Sequence, residues 1–303
     1  MYRIATFMSL GSVRRSVGVS VLLLLLLCGV PTPATASGVP SVMQFGKESE
    51  SNTGNVILWD EGDSAVYVGG DTYGDLFKTR GTGSGSGRYT QEAFVTKYQT
   101  SPGRNAGVGA MSWGQQWSGS SDGDSVTALA SYGDMVFAAG TTYGSFHGQH
   151  QGKKDIFVMC LDGKDSTLIW GIQIGSNEDD WVGAMSADST GLYIGGMTKG
   201  SFYDANSGGT DVILIKVDLK TGGLVWSKQF GTTSVDTVTS IKVLTPTTLQ
   251  VDGSSQMLFS PPKNGYSAIY DSSSGDLLTG VLLSSRKYIK CFNNRYIWTI
   301  IYY

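Results

Sequence analysis

The chain has 303 residues, among them 42 glycines and seven prolines, and a net charge of −3 at neutral pH. It is long enough to bury a sizeable core, and its glycine content, about twice the average of roughly 7% and without a collagen period, points to many tight turns and the all-β class. The acidic balance argues against a nucleic-acid or anionic-membrane partner, because no basic patch precedes the last twenty residues.

In chain order, Arg3, Arg14 and Arg15 lead into the apolar run Val17 to Val30, and "PTPATAS" follows with Ala34 and Ala36 as an A-x-A site. This pattern predicts a signal peptide over 1–36, cleaved after Ala36, and a mature chain that is secreted or held at the cell surface. The run of fourteen residues falls short of the roughly 20 needed to span a bilayer, so no stable membrane span is expected after cleavage. Losing the three arginines takes the net charge from −3 to −6. Cys28 lies in the signal segment and Cys291 in the tail, which leaves Cys160 alone in the body. A disulfide scaffold is thereby excluded, and packing must supply the stability.

A repeat of about 56 residues organises the body. Trp113, Trp170 and Trp226 are each followed three residues later by Gln116, Gln173 and Gln229, and then by Gly119, Gly175 and Gly231. Asp124, Asp180 and Asp236 keep the same step. "VYVGGDTYGDLF", "VFAAGTTYGSF" and "LYIGGMTKGSF" are one motif written three times; "QEAFVTKY", "KDIFVMCL" and "TDVILIKV" are another. A fourth unit repeats both in worn form.

Each unit carries four short apolar runs, in the third unit near Val182–Ala187, Leu192–Met197, Val212–Asp218 and Leu224–Phe230. "VILIKV" is almost continuously apolar, as suits a sheet covered on both faces. The pattern therefore predicts an all-β β-propeller of four-stranded antiparallel blades, with four blades recognisable. Their expected bounds are 46–118, 119–174, 175–230 and 231–283, with 37–46 as an outer strand that closes the ring. The tail 284–303 has no glycine and no acidic residue and reads as foreign to the repeats, a gene-model artefact such as intron read-through, the alternative being a real terminal strand that covers an edge.

These motifs resemble the SBBP repeat of seven-bladed β-propellers, over about 240 residues from Gln44 to Leu283. Four recognisable units in place of seven imply a ring truncated from a larger one. That resemblance implies a fold and almost nothing about activity. Asp218, Thr221, Gly222 and Trp226 further resemble the tryptophan-docking motif of quinoprotein dehydrogenases. The aligned stretch of the second unit lacks Thr-Gly and that of the fourth lacks Trp, so the motif reads as a propeller turn.

Candidate chemistry gathers in the loops between strands two and three and between blades, which leave a blade on one face. Asp122, Glu178 and Asp179 lie outside the periodic Asp column and are the candidate calcium ligands. The periodic aspartates read as acceptors for turn amides. Trp117 and Trp181 also stand outside the Trp column and are the candidate ligand-stacking residues. His147 and His150 are the only histidines, on a loop, and read as solvated. An H-x-x-H pair could hold zinc or copper given a third ligand, but none is evident, and neither is a catalytic constellation, so the expectation is a chain that is not an enzyme and carries no cofactor, apart from calcium at the candidate ligands. Its function would be a binding or surface-interaction module for an extracellular protein or carbohydrate. The alternatives are a structural or adhesive surface protein and a quinoprotein-like enzyme.

Overall fold

The computed structural model describes residues 21–24, 42–45, 51–77, 90–100, 109–119, 123–255, 264–283, 288–292 and 295–301. Two short strands, β1 (Val21–Leu24) and β2 (Val42–Phe45), pair with each other. The first four-stranded sheet follows in chain order as β3 (Asn52–Asp60), β4 (Ala65–Thr72), β5 (Glu92–Gln99) and β6 (Met111–Trp117). The second is β7 (Ser125–Tyr132), β8 (Met135–Thr142), β9 (Asp155–Asp162) and β10 (Leu168–Ile174). The third is β11 (Asp180–Asp188), β12 (Gly191–Thr198), β13 (Asp211–Val217) and β14 (Leu224–Phe230). The fourth is β15 (Asp236–Thr245), β16 (Thr248–Ser255), β17 (Asn264–Asp271) and β18 (Leu277–Leu283), extended by β19 (Tyr288–Phe292) and β20 (Arg295–Ile301). Every pairing is between antiparallel neighbours in sequence, as in the blades of a propeller.

The first strand of each sheet packs against the preceding sheet: β7 on β3 and β4, β11 on β7 and β8, β15 on β11 and β12. Among the described residues no comparable packing joins β15 back to β3, so the four blades form an open array. The expected closing segment, 37–46, supplies β2, whose partner is β1. The outer edge of β18 is taken by β19, from the tail expected to be foreign. An edge strand pairs with whatever strand lies within reach, and β19 follows β18 directly.

Between each pair of sheets lies an apolar cluster. Phe137, Ile156, Val158 and Trp170 of the second sheet meet Leu192, Ile194, Ile213 and Ile215 of the third. Tyr67, Val95 and Trp113 meet Leu129, Phe157 and Met159 at the first junction, and Tyr193, Val212 and Leu214 meet Ile241, Leu249 and Val251 at the last. Hence β9 and β13 are buried along their whole length except Asp162, having a core on each face. In the fourth sheet the pattern reverts to alternation. Leu249 and Val251 face the third sheet, while Gln250 donates to Asp252 and Ser267 on the other side.

The blades share their irregularities as well as their strands. A register shift interrupts the first strand of all four sheets, at Gly54/Val56, Val126/Ala128, Val182/Ala184 and Val238/Ser240. Such a bulge bends the strand and strengthens its twist. It also brings a first-strand carbonyl close to the second strand, opposite Gly70, Gly140, Gly196 and Gly253. A Cβ on Gly140 would collide with the carbonyl of Ser125, and backbone cannot step aside. Gly140→Ala is therefore expected to cost about 2–4 kcal/mol, measured as a lowered urea midpoint at unchanged m-value.

Candidate functional site

A single hydrogen-bond pattern builds the loop face of the first three blades. In the second blade, Gln173 Oε1 accepts from the Phe146 amide at 2.8 Å, and its Nε2 donates to Gly144 O at 2.9 Å and to Asp155 Oδ2 at 2.7 Å. Gln229 repeats this with Phe202, Gly200 and Asp211, and Gln116 with Phe77, Gly74 and Glu92. The periodic glutamine thus ties the loop between strands two and three to the start of strand three. Its acidic partner opens the motifs "EAF", "DIF" and "DVI", a signal present in the repeat and overlooked there.

The periodic aspartates hold the crossings between blades. Asp180 Oδ2 accepts from the Ser176 amide at 2.6 Å and Asp236 Oδ2 from the Thr232 amide at 2.5 Å, and Asp124 accepts likewise from Gly119. They are turn acceptors, as their periodicity suggests. Burial pushes the Asp180 carboxyl up to about 6 against the hydrogen bonds from Thr198 and Ser176, with the charge of Asp155 adding to the rise.

The periodic tryptophans latch each sheet to the next. Trp113 Nε1 donates to Gly163 O at 3.0 Å, Trp170 Nε1 to Leu219 O at 2.8 Å and Trp226 Nε1 to Ser272 O at 3.1 Å. Gly222 and Gly275, at φ of +69° and +74°, lie under the rings of Trp170 and Trp226, where a Cβ would strike the indole. Buried Lys97 and Lys216 reinforce the first and third latches through Gly163 O and Ser272 O. The second blade has Cys160 in that column. Burial, followed by the charge of Asp162, pushes its thiol up to about 12. Cys160 is expected to resist iodoacetamide at pH 8 in the native protein and to react fully in denaturant, as mass spectrometry would show.

Among the described residues, the predicted calcium ligands form no cation site, and only Asp179 and Trp181 are brought together, through Lys199. Trp117 packs against the core between the first two sheets. Asp122 lies outside the described residues. Glu178 pairs with Lys153 at 2.7 Å, and Asp179 with Lys199 at 3.0 Å. Among the described residues no three His, Cys, Asp or Glu side chains gather to hold a metal ion. His147 is half-buried instead of solvated; its Nε2 has no partner, and burial lowers its pKa. His150 turns elsewhere, toward Asp155 at 3.4 Å.

Trp181 stands in a different setting, at the rim between the second and third sheets. Lys199 Nζ lies 5.1 Å from its ring centroid and Lys154 Nζ 5.7 Å, while Lys154 is also 4.8 Å from the ring of Tyr143. Tyr143 is 48% exposed. The backbone of Lys154 is fixed by a bridge to Asp179 and by the Asp180 amide, which donates to Lys154 O at 2.8 Å. The same backbone bond recurs at Gln91 and Thr210, so these three are equivalent positions. The equivalents of Trp181 are Ser125 and Thr237, each directly after a periodic aspartate. Among the described residues, only the junction between the second and third sheets gathers two aromatic rings and two ammonium groups. Lys154 is marked in the sequence by its departure from the repeat, whereas Tyr143 shares its column with Tyr73 and carries no such signal.

No family model matches the chain, and no curated protein matches it. Solved structures similar to it include a europium-containing methanol dehydrogenase, at 10% identity and a TM-score of 0.41, covering 75% of this chain and 42% of that one. Another is the quinohemoprotein alcohol dehydrogenase from Comamonas testosteroni, at 11% identity and a TM-score of 0.43, covering 80% of this chain and 42% of that one. The chain thus spans less than half the length of either. The expectation of a chain that is not an enzyme and takes no cofactor, calcium apart, is corrected by these neighbours, which are dehydrogenases, one of them europium-containing. At this level of likeness no activity passes to this chain.

Proposed function

We propose that the chain is an exported propeller-type binding module of the SBBP kind, whose ligand site is the rim formed by Tyr143, Lys154, Trp181 and Lys199. The carrying observation is the departure from repetition at that junction. Blades that share their bulges, latches and glutamine ties supply an internal standard for what the fold needs. At positions equivalent to Lys154 and Trp181 the other junctions use Gln91, Thr210, Ser125 and Thr237. Side chains that the architecture does not require, at the rim of a rigid scaffold where Tyr143 and Lys199 are exposed and Lys154 and Trp181 half-buried, are where binding residues concentrate. The leading segment 1–36, with its arginines, apolar run and A-x-A site, supports export to the extracellular space.

The test uses the protein recovered from culture medium and a panel of immobilised extracellular glycans and matrix proteins. The wild type retains at least one member, and a Tyr143→Ala, Trp181→Ala double variant with unchanged thermal midpoint loses at least about tenfold in affinity. Undiminished retention by the double variant removes the rim as the site. Recovery from the cytoplasm only, with 1–36 intact, removes the export reading.

A further inference from the structure

The turns between strands three and four lie on the side of the array away from the rim, and a second periodicity runs through them. The fourth strand of every sheet begins with a register shift, between Met111 and Trp113, Leu168 and Trp170, Leu224 and Trp226, and Leu277 and Thr279. A bulge there breaks the in-and-out alternation and turns neighbouring side chains to the same side. Leu168 and Ile169 are 40% and 47% exposed, Leu224 and Val225 48% and 52%, and Met111 and Leu278 are exposed at the two ends of the series. The periodic Asp, Gln and Trp side chains are engaged within the array; these apolar positions repeat as regularly and face solvent.

The tryptophan latches join these positions into one stripe. Trp170 bonds Leu219 O and lies on Gly222, so the apolar pair just before it reaches the 218–223 turn of the third blade, and Trp226 brings its own pair to the 271–276 turn of the fourth. Apolar pairs and turns therefore alternate from blade to blade. The turns are acidic: Asp162, Asp165, Asp218 and Asp271 each commit Oδ1 to an amide of their own turn. Among the described residues none of the four has a lysine or arginine within salt-bridge distance. Of the lysines beside them, Lys164 is paired with Asp134 and Lys228 with Asp276, which leaves Lys220 as the one cation on these turns outside an ion pair.

We infer that this stripe docks a segment of another polypeptide in which basic and apolar side chains alternate, the apolar ones seated on the exposed pairs of the second and third blades and the basic ones on the turn carboxylates between them. A contiguous apolar strip rimmed by charge is the form an interaction surface takes, and the sign of the rim selects a cationic partner. The exposed side chains are not aromatic and the indoles are committed to the latches, so the stripe offers a sugar no stacking platform. An anionic ligand would meet unpaired carboxylates on both sides of each apolar pair. The surface is separate from the rim and does not depend on its reading.

Three labelled peptides of equal length, alternating lysine with leucine, glutamate with leucine, and lysine with serine, test both halves of the recognition by fluorescence anisotropy. The wild type is expected to bind the lysine–leucine peptide at least about tenfold more tightly than either of the others, with an affinity that falls as salt rises. Ile169→Thr combined with Val225→Thr keeps the β-branched shape that suits a strand and removes apolar surface, so it should lose about tenfold at an unchanged thermal midpoint. Asp218→Asn combined with Asp271→Asn keeps a carbonyl for the turn amides and removes two charges. That variant should lose about fivefold or more and show a flatter salt dependence. The Tyr143→Ala, Trp181→Ala double variant should bind the peptide as the wild type does.

Failure of the lysine–leucine peptide to bind, or equal binding of the glutamate or serine peptide, overturns the inference. So does undiminished binding by either stripe variant, since the apolar pairs or the carboxylates would then take no part. Loss of the peptide in the rim variant would move its binding to the rim and overturn the stripe as its site. The tail 284–303 carries Arg286, Lys287, Lys290 and Arg295 and no acidic residue, so a second copy of this chain has a segment of the same chemistry. Sedimentation of the full chain separates the two occupants: a monomer is expected, and a dimer abolished by Ile169→Thr with Val225→Thr would overturn the assignment to another polypeptide.

Discussion

Trp170→Ala is expected to destabilise the protein by about 3–5 kcal/mol, the range for removing a buried aromatic side chain from a core. The indole is only 9% exposed, packs with Phe137 at 6.0 Å between centroids, and donates its N–H to Leu219 O of the next sheet. Its loss would open a cavity at the junction and leave that carbonyl without its donor. Trp170→Phe keeps most of the packing and removes the hydrogen bond, so a smaller loss of about 1–2 kcal/mol is expected. Chemical denaturation of both variants separates the two contributions. This latch should be more sensitive than those of Trp113 and Trp226, because Cys160 gives it no lysine to share the work. A Trp170→Ala variant as stable as wild type would remove the latch from the account.

The second large effect is a pH dependence centred on one turn. The carboxyl of Asp180 titrates near 6 in the folded protein, because burial disfavours its charge, against about 3.9 in an unfolded chain. The stabilising contribution is fully present below about pH 4, where the group is protonated in both states, and is lost as pH rises through about 6. Two units correspond to roughly 2–3 kcal/mol. Asp134, Asp165, Asp218, Asp271 and Asp276 are shifted the other way, by hydrogen bonds to their charged forms, and act at lower pH. Comparing Asp180→Asn with wild type cancels their effect. The asparagine carbonyl can still accept from the Ser176 amide, and its amide can donate to the Ser176 hydroxyl. The variant should match wild type near pH 4 and exceed it by about 2–3 kcal/mol at pH 7 in urea titrations. A constant difference across that range would show that Asp180 keeps its ordinary carboxylate character.

Much of the blade was legible in the sequence because a repeat multiplies weak signals. In the third unit the expected runs, Val182–Ala187 through Leu224–Phe230, lie within one or two residues of the observed strands. The function of the periodic Asp and Trp columns could also be read, since a side chain repeated in every blade serves the blade. The bulges could not, because an extra residue in one strand leaves no mark in hydrophobic alternation. The arrangement of β2 and β19 was hidden for a different reason: pairing at an edge depends on which strand arrives there. The rim was half visible. Trp181 was noticed as an aromatic out of place, but its two lysines come from separate sheets and only the structure brings them over one ring.

The tryptophan latches all point the same way along the chain, each reaching a carbonyl 50, 49 or 46 residues further on. During vectorial synthesis a blade can therefore complete its own strands before its latch has a receptor. Each blade waits in the nascent chain, its indole exposed, until most of the following unit has left the ribosome. Consolidation then advances one junction behind elongation, and a pause within the turn between the third and fourth strands of one blade would delay the locking of the blade before it.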